Sequence, residues 1–164
     1  MTGFVSVLVG SDSDLAVMQR TAEVLKGYVI PYELRIASAH RTPDATQAYV
    51  RDAEVRGCQV FICAAGLSAH LAGAVAALTT HPVIGVPLEG GALGGIDALF
   101  STVQMPAGVP VSCVAIGPHG AANAGHLAAQ MLALADPALA ERVRAERRAQ
   151  TAAVLAKDQA LRGP

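Results

Sequence analysis

The chain has few aromatic and few charged residues. Its 164 residues include no tryptophan, three phenylalanines and three tyrosines, and only 15% are charged, with a net charge of −1 at pH 7. The absence of a basic run argues against nucleic acid as a partner and against electrostatic attraction to a membrane surface. A flavin carrier normally stacks aromatic side chains on the flavin ring, so the shortage of aromatics disfavours that class of protein. The composition leaves a small molecule as the expected partner.

Cysteine is also scarce, and Cys58, Cys63 and Cys113 lie in apolar segments at spacings that form no motif. Such cysteines are typical of reduced core residues in a cytoplasmic protein and not of a metal or redox centre. No histidine pair stands at a helical ligand spacing, so we predict no metal site. The histidines outside the polar loops described below are interpreted as structural or surface residues: His81, His119 and His126.

Hydrophobic residues make up 52% of the chain, and we expect part of this excess in subunit interfaces. Residues 60–78 are nearly uncharged and allow a transmembrane interpretation, but Gly66, Ser68 and His70 interrupt them. We therefore divide this stretch into a buried strand and a helix of small residues. Gly3 runs directly into a strand with no cationic region before an apolar core, so we predict no signal peptide and no membrane association.

Short apolar runs alternate with helical periodicity along the chain, which predicts a parallel sheet covered on both faces. The expected strands cover residues 4–9, 32–37, 59–63, 83–87 and 111–116, and the expected helices cover 13–26, 43–56, 68–78, 96–103 and 121–135. The fold class is therefore α/β, a three-layer αβα sandwich with a doubly wound, flavodoxin-like sheet. We predict one domain, with a core over residues 1–135 and a helical extension over 136–164. The charged side chains of that extension either face solvent or pack on a neighbouring subunit.

Residues 38–43 (SAHRTP) lie between the second strand and the second helix, where α/β sheets bind small ligands. Histidine titrates near neutral pH, which makes His40 a candidate general acid and base. Arg41 offers a planar fork suited to phosphate, or else pairs with a surface carboxylate. An isolated loop histidine would be structural, but Ser38 and Arg41 beside it favour acid–base chemistry on a small anion.

Residues 10–14 (GSDSD) end the first strand and open the first helix. The hydroxyls and the free amides at this helix N-terminus predict a phosphate site. A carboxylate disfavours phosphate, so we expect at least one of Asp12 and Asp14 to serve another purpose, such as accepting hydrogen bonds from ribose hydroxyls. The alternative is an N-cap followed by an acidic first turn.

Residues 66–70 (GLSAH) offer backbone amides and small side chains, with no charge before His70. Such a loop can hold a small flat anion or an uncharged gas through N–H donors, or it can serve close packing of a helix on the sheet. Residues 90–95 (GGALGG) fail the dinucleotide-binding pattern because Ala92 stands where a glycine belongs, and no phosphate-loop lysine follows. We therefore predict no cofactor.

Taken together, the loops resemble those of the N5-carboxyaminoimidazole ribonucleotide mutase family of bacterial purine biosynthesis, almost from end to end. The matching motifs are residues 10–14 (GSDSD), 38–43 (SAHRTP), 69–71 (AHL), 103–106 (VQMP) and 121–124 (AANA). The resemblance implies an isomerase that moves a carboxyl group from the exocyclic nitrogen of an aminoimidazole ribonucleotide to a ring carbon, with no ATP, no metal and no cofactor. It also implies a cytoplasmic homo-octamer acting on a nucleotide substrate.

The same resemblance implies roles for individual residues. His40 would be the catalytic acid and base, and the loop over residues 66–70 would hold the migrating carboxylate. Ser11, Asp14 and Arg41 would bind the nucleotide. The full set expected to contact substrate is Gly10, Ser11, Asp14, Ser38, Arg41, Gly66, Ser68, Ala69 and His70.

Two alternatives remain, and the chain departs from the family pattern in places, with Ala72 where a proline is common and Pro118-His119 where a pair usually contains lysine. The related carboxylase uses free carbon dioxide and typically carries lysine after the histidine, whereas Arg41 follows the mutase pattern. A phospho-receiver needs an aspartate at the end of the third strand, where Ala64 and Ala65 stand. Leu67 occupies a position where many relatives have a smaller residue, and leucine is strained if that position needs a left-handed backbone.

Overall fold

Five parallel strands form the single sheet of the computed structural model, which describes residues 3–162. They are β1 (Phe4–Val9), β2 (Tyr32–Ile36), β3 (Cys58–Ala65), β4 (Val83–Pro87) and β5 (Ser112–Cys113), in the spatial order β2-β1-β3-β4-β5. The chain runs outward from β1 to β2 and then returns to β3 on the other side. This order is the flavodoxin-like one, and it confirms the predicted fold class.

Six helices accompany the sheet: the first five cover its two faces, and the last lies mainly against the fifth. They are α1 (Leu15–Gly27), α2 (Pro43–Val55), α3 (Leu71–Ala76), α4 (Ile96–Val103), α5 (Gly117–Ala133) and α6 (Pro137–Arg162). Short 3-10 turns over Asp12–Asp14 and Gly91–Leu93 precede α1 and α4. The bounds of α4 and β4 agree with the prediction, while β5 and α3 are much shorter than predicted.

Side chains of β1 point alternately to the two faces of the sheet and pack in two separate hydrophobic clusters. Val5, Val7 and Val9 pack in the cluster that contains α1 and α5, whereas Leu8 packs in the cluster beneath α2 and α3. Ser6 is buried on that second side, where its hydroxyl hydrogen-bonds the hydroxyl of Tyr49 on α2 at 2.9 Å. A strand buried on both faces reads as a continuous apolar run, which is the pattern the sequence showed.

Helices α1 and α5 lie unusually close together on the first face. The Thr21 hydroxyl, fully buried, donates to the carbonyl of Ala121 at 2.6 Å. A Cβ added at Gly125 would lie 2.9 Å from Cβ of Val24 and 3.2 Å from the carbonyl oxygen of Thr21. The two backbones can approach this closely only because position 125 carries no side chain.

Gly125→Ala is expected to destabilise the protein by about 1–3 kcal/mol, because the added methyl group overpacks the contact between α1 and α5. Gly27→Ala is the matched control, since nothing lies within 4 Å of a Cβ at that helical position. The control should leave stability unchanged or raise it by up to about 1 kcal/mol. Denaturant unfolding of both variants checks the prediction, and equal stabilities would contradict it.

The cysteines follow the prediction in part. Cys58 and Cys63 are buried in β3 and none of the three is bonded to another cysteine, while Cys113 is only half-buried on the edge strand. Burial raises the pKa of the Cys58 thiol to about 11 and raises the pKa of Cys63 as well. The two thiols therefore stay protonated at neutral pH, as inert core residues do.

Helix α6 follows the core as a long, charged element. Of its 26 residues only Leu139 is buried, and its surface carries ion pairs such as Glu141 with Arg144 at 2.9 Å. The half beyond Arg144 is exposed throughout. Within residues 3–162 no helix combines the length and the apolarity that crossing a membrane requires.

Candidate active site

A cleft of about 650 Å³ opens at the carboxyl ends of the strands. The loops that follow β1, β2, β3 and β4 all contribute to its walls. The predicted site residues that line it are Gly10, Ser11, Asp14, Ser38, His40, Arg41, Gly66, Ser68 and His70. Ala69 is the exception, because its side chain is buried outside the cleft lining.

The first loop is held by its own carboxylates. The Ser11 backbone N–H donates to Oδ2 of Asp14 at 3.0 Å, and the Ser13 backbone N–H donates to Oδ1 of Asp12 at 3.1 Å. Ser11 and Asp14 thus form a capping box at the start of the helical turn. The amides of Ser11 and Ser13 are therefore engaged and not free as expected, and the N-cap is present; the phosphate site stays a prediction.

The pKa values of the two carboxylates in this loop are shifted in opposite directions. Hydrogen bonding from Ser11 lowers the pKa of Asp12, with a smaller attraction from Arg41 in the same direction. Burial raises the pKa of Asp14, although the Ser11 amide opposes that shift. Asp12 therefore presents a fixed negative charge in solvent, while Asp14 presents partly desolvated oxygens toward the cleft.

The second loop brings Arg41 to the first. The Ser38 hydroxyl accepts the backbone N–H of Arg41 at 3.1 Å, and the Ser38 carbonyl accepts the backbone N–H of Thr42 at 2.9 Å. This turn leaves Nη2 of Arg41 donating to the carbonyl of Gly10 at 3.3 Å. A guanidinium and the serine hydroxyls of the first loop therefore share one side of the cleft.

His40 reaches across to the third loop. Its Nε2 lies 2.9 Å from Nδ1 of His70, and the two rings meet edge to face with centroids 5.0 Å apart. Both side chains are exposed to the cleft. Each histidine was singled out from the sequence, but their contact was not predicted, because it depends on the spacing of β2 and β3 across β1.

The third loop presents unused backbone amides. Leu67 adopts φ +55, so the left-handed conformation considered for this position is confirmed. Among the hydrogen bonds of residues 3–162, none is donated by the amides of Gly66, Leu67 or Ser68. Successive amides around a left-handed residue form a concavity that binds anions. The loop can therefore hold a carboxylate without a formal positive charge.

Glu89 and Gly90 also line the cleft, and the sequence analysis assigned them no role. A signal was available, since both directly follow β4, whose carboxyl end must lie at the same edge as those of β1 and β3.

The other histidines lie outside the cleft. Nδ1 of His126 hydrogen-bonds the Tyr28 hydroxyl at 2.9 Å, and burial lowers the pKa of His126. His119 is exposed, and neither side chain lines the cleft.

The cleft combines a proton carrier, a fixed cation and neutral N–H donors, which suits proton transfer on a small anion. Fold and cleft together define a doubly wound α/β protein with a ligand site at its topological switch point. The AIR carboxylase family profile matches residues 4–153. The chain belongs to the AIR carboxylase family.

Relatives named N5-carboxyaminoimidazole ribonucleotide mutase match almost the whole chain. The protein of Thermotoga maritima is 50% identical over 96% of this chain and 91% of its own length. The protein of Mycobacterium tuberculosis is 52% identical over 96% of this chain and 89% of its own length. The crystal structure of Treponema denticola PurE superposes with a TM-score of 0.89 at 28% identity, covering 97% of this chain and 98% of that one.

Proposed function

We propose that the protein converts N5-carboxyaminoimidazole ribonucleotide to 4-carboxy-5-aminoimidazole ribonucleotide in purine biosynthesis. One observation carries the proposal: His40 and Arg41 face the unused amides of residues 66–68 across a single cleft. The first pair supplies a proton and a cation, and the second element supplies a cradle for a carboxylate. The mutase relatives at about 50% identity support the same reaction.

The reaction needs one group that gives and then takes a proton. Protonated His40 donates to the exocyclic nitrogen as the carbon–nitrogen bond breaks, and the bond's electron pair stays on that nitrogen. Carbon dioxide is released, and the electron-rich ring carbon attacks it to form the new carbon–carbon bond. Neutral His40 then removes the proton from that carbon and is restored to its charged form.

The contact between His40 and His70 orients the His40 ring. A hydrogen bond between two ring nitrogens needs one nitrogen that carries hydrogen and one that does not, and the two nitrogens of this contact lie 2.9 Å apart. His70 holds the His40 ring at Nε2 of His40. The other ring nitrogen, Nδ1 of His40, makes no hydrogen bond within residues 3–162 and is left for the substrate.

The remaining cleft residues take the nucleotide. Arg41 offers its guanidinium to the phosphate, and Ser11 adds a hydroxyl beside it. The raised pKa of Asp14 reflects a desolvated carboxyl, and its oxygens suit ribose hydroxyls better than phosphate. Gly10, Ser38, Gly66, Ser68 and His70 complete the proposed contacts, and no metal, ATP or other cofactor is required by this chemistry.

Turnover of the nitrogen-carboxylated substrate in buffer without bicarbonate, ATP or free metal is the decisive assay. We expect the ring-carboxylated product to form at a rate typical of enzymes. Its ultraviolet absorbance measures its formation over time. The related carboxylase reaction would instead turn over aminoimidazole ribonucleotide rapidly at modest bicarbonate. Turnover of aminoimidazole ribonucleotide with bicarbonate, and no conversion of the nitrogen-carboxylated substrate, would reject the mutase reaction.

His40→Asn and Arg41→Lys should alter different kinetic constants. Asparagine keeps the size of the side chain but carries no proton, so kcat should fall at least ~100-fold while KM changes little. Lysine loses the bidentate fork, so KM should rise roughly tenfold while kcat is largely kept. Steady-state kinetics on both variants check the assignment, which fails if the effects are exchanged or absent.

The proposal includes assembly into a homo-octamer. Ile96, Phe100 and Val103 follow one another at i, i+4 and i+7 on α4, and they are 47%, 60% and 46% exposed. Three apolar side chains on one helical stripe suit burial against another copy.

A cytoplasmic location is also proposed, supported by the three cysteines that form no disulfide with one another and tested by cell fractionation.

Phe100→Lys should shift the assembly to smaller species, because a charge would be placed in the proposed interface. Sedimentation velocity should give eight subunits for the parent protein and fewer for the variant at micromolar concentration. Val55→Lys is the control, since Val55 is 88% exposed on α2 and lies away from the α4 stripe. A monomeric parent, or a variant of unchanged mass, would contradict the proposed interface.

A further inference from the structure

Thr42 stands at the N-cap of α2 without capping the helix. A threonine at this position normally turns its hydroxyl toward the helix, where it accepts a backbone N–H of the first turn. The Thr42 hydroxyl makes no such bond, although Thr42 directly precedes Pro43, the first residue of α2. The helix thus lacks a stabilising contact that its sequence could supply.

Ser11 shows the ordinary use of a hydroxyl at a helical start. Its side chain accepts the N–H of Ser13, and its own N–H donates to Oδ2 of Asp14 at 3.0 Å, which completes a capping box. Ser11 and Thr42 both stand between a strand and a helix at the carboxyl edge of the same sheet. The different use of the Thr42 hydroxyl therefore needs a local explanation.

The Thr42 hydroxyl is turned backward onto Ser38. Oγ1 of Thr42 accepts the backbone N–H of Ser38 at 3.1 Å and donates to the backbone carbonyl of Ser38 at 3.2 Å. The Thr42 backbone N–H donates to the same carbonyl at 2.9 Å. Thr42 thus binds both backbone polar groups of Ser38 and closes residues 38–42 into an arch.

His40 and Arg41 lie within this arch. The Arg41 backbone N–H donates to the Ser38 hydroxyl at 3.1 Å. Among the hydrogen bonds of residues 3–162, none is donated by the backbone amides of Ala39 and His40. The backbone of the arch is therefore held by Ser38 and Thr42 at its two ends and not along the segment that carries His40.

The far end of the arch is fixed by α2. Thr46, which is buried in α2, donates to the carbonyl of Thr42 with its backbone N–H at 3.0 Å and with its hydroxyl at 2.9 Å. Thr42 in turn holds Ser38, which follows the last residues of β2. A single side chain therefore links the position of the helix to the position of the strand end across the arch.

We propose that Thr42 is a positioning residue, whose hydroxyl closes the arch instead of capping α2 and thereby sets His40 and Arg41 for proton transfer and phosphate binding. It acts through those two residues, since its own side chain does not line the cleft. A displacement of a catalytic group by about 1 Å can lower a rate by about 100-fold. This inference rests on the proposed function, because that function gives His40 and Arg41 their roles.

Thr42→Val keeps the branched shape of the side chain and removes both hydroxyl bonds. We expect kcat to fall about tenfold and KM to rise severalfold, because the loosened arch displaces His40 and Arg41 together. The imidazole ¹⁵N resonances of His40 and His70 should also move, since their contact depends on the arch. Thr42→Ser restores the hydroxyl and should recover most of both kinetic constants and the parent resonances.

Thr151→Val is the matched control. It removes a threonine hydroxyl that donates to the carbonyl of Arg147 at 3.0 Å on the exposed half of α6, outside the cleft lining. The control should leave kcat, KM and the imidazole resonances unchanged. Circular dichroism at the assay temperature should show all three variants folded, because Thr42 and Thr151 are both exposed.

The outcomes distinguish this inference from the function on which it rests. Unchanged kinetic constants in Thr42→Val, or equal losses in Thr42→Val and Thr42→Ser, would overturn the role of Thr42 and leave the mutase reaction standing. Losses explained entirely by an unfolded fraction would overturn it as well. Failure of the parent protein to convert the substrate would reject the reaction itself, while the imidazole resonances would still decide whether Thr42 sets the contact of His40 with His70.

Discussion

The parallel register of the central strands is the constraint on which the site depends. Val9 pairs with Ile36 on one side and with Ala64 on the other, and Ala64 pairs in turn with Val86. Neighbouring strands lie about 4.8 Å apart, so the four loops that follow them leave the sheet at one level and within reach of each other. A slip of one residue in any pair would turn the polar loop residues away from the common cleft.

Within that cleft the charged side chains and the uncharged amide donors come from different loops. The loops after β1 and β2 carry Arg41, the serines and the aspartates, while the loop after β3 carries amides without formal charge. His40 stands between the two sides, joined to His70 by the hydrogen bond of 2.9 Å. In the proposed reaction the migrating group would change from carboxylate to uncharged gas and back, and oriented amides can hold the carboxylate without adding a formal charge to the cleft.

Much of the fold could be predicted because local pattern and tertiary structure agree. Helix α4 was predicted to the residue, since its apolar spacing is bounded by Gly94 and Gly95 before it and by a break at Gln104. Strand β5 was predicted six residues long and pairs over only two, because an apolar run says nothing about how far a neighbouring strand extends at a sheet edge. Helix α3 starts at Leu71 and not at Ser68, because Ser68 and His70 still belong to the loop that lines the cleft.

The candidate site, like the fold, could be predicted only in part. Residue types and strand ends sufficed to gather nearly all of its members, since the carboxyl edge of a parallel sheet is a property of topology. What could not be predicted depends on distances between loops: the contact of His40 with His70 and the approach of Leu67 to Gly91. Glu89 was overlooked, although its position directly after β4 was a usable signal. The engagement of the first-loop amides by Asp12 and Asp14 was anticipated only as the N-cap alternative, because side chains and ligands compete for the same donors and composition does not say which of them binds.

That engagement has a thermodynamic consequence. A loop whose donors are already engaged by its own side chains is folded before any ligand arrives, so binding of the proposed nucleotide would order few additional backbone torsions. The entropy of arranging residues 10–14 is lost once, during folding, and is not lost again in each catalytic cycle. In the proposed reaction, product release would then need no opening of a disordered segment.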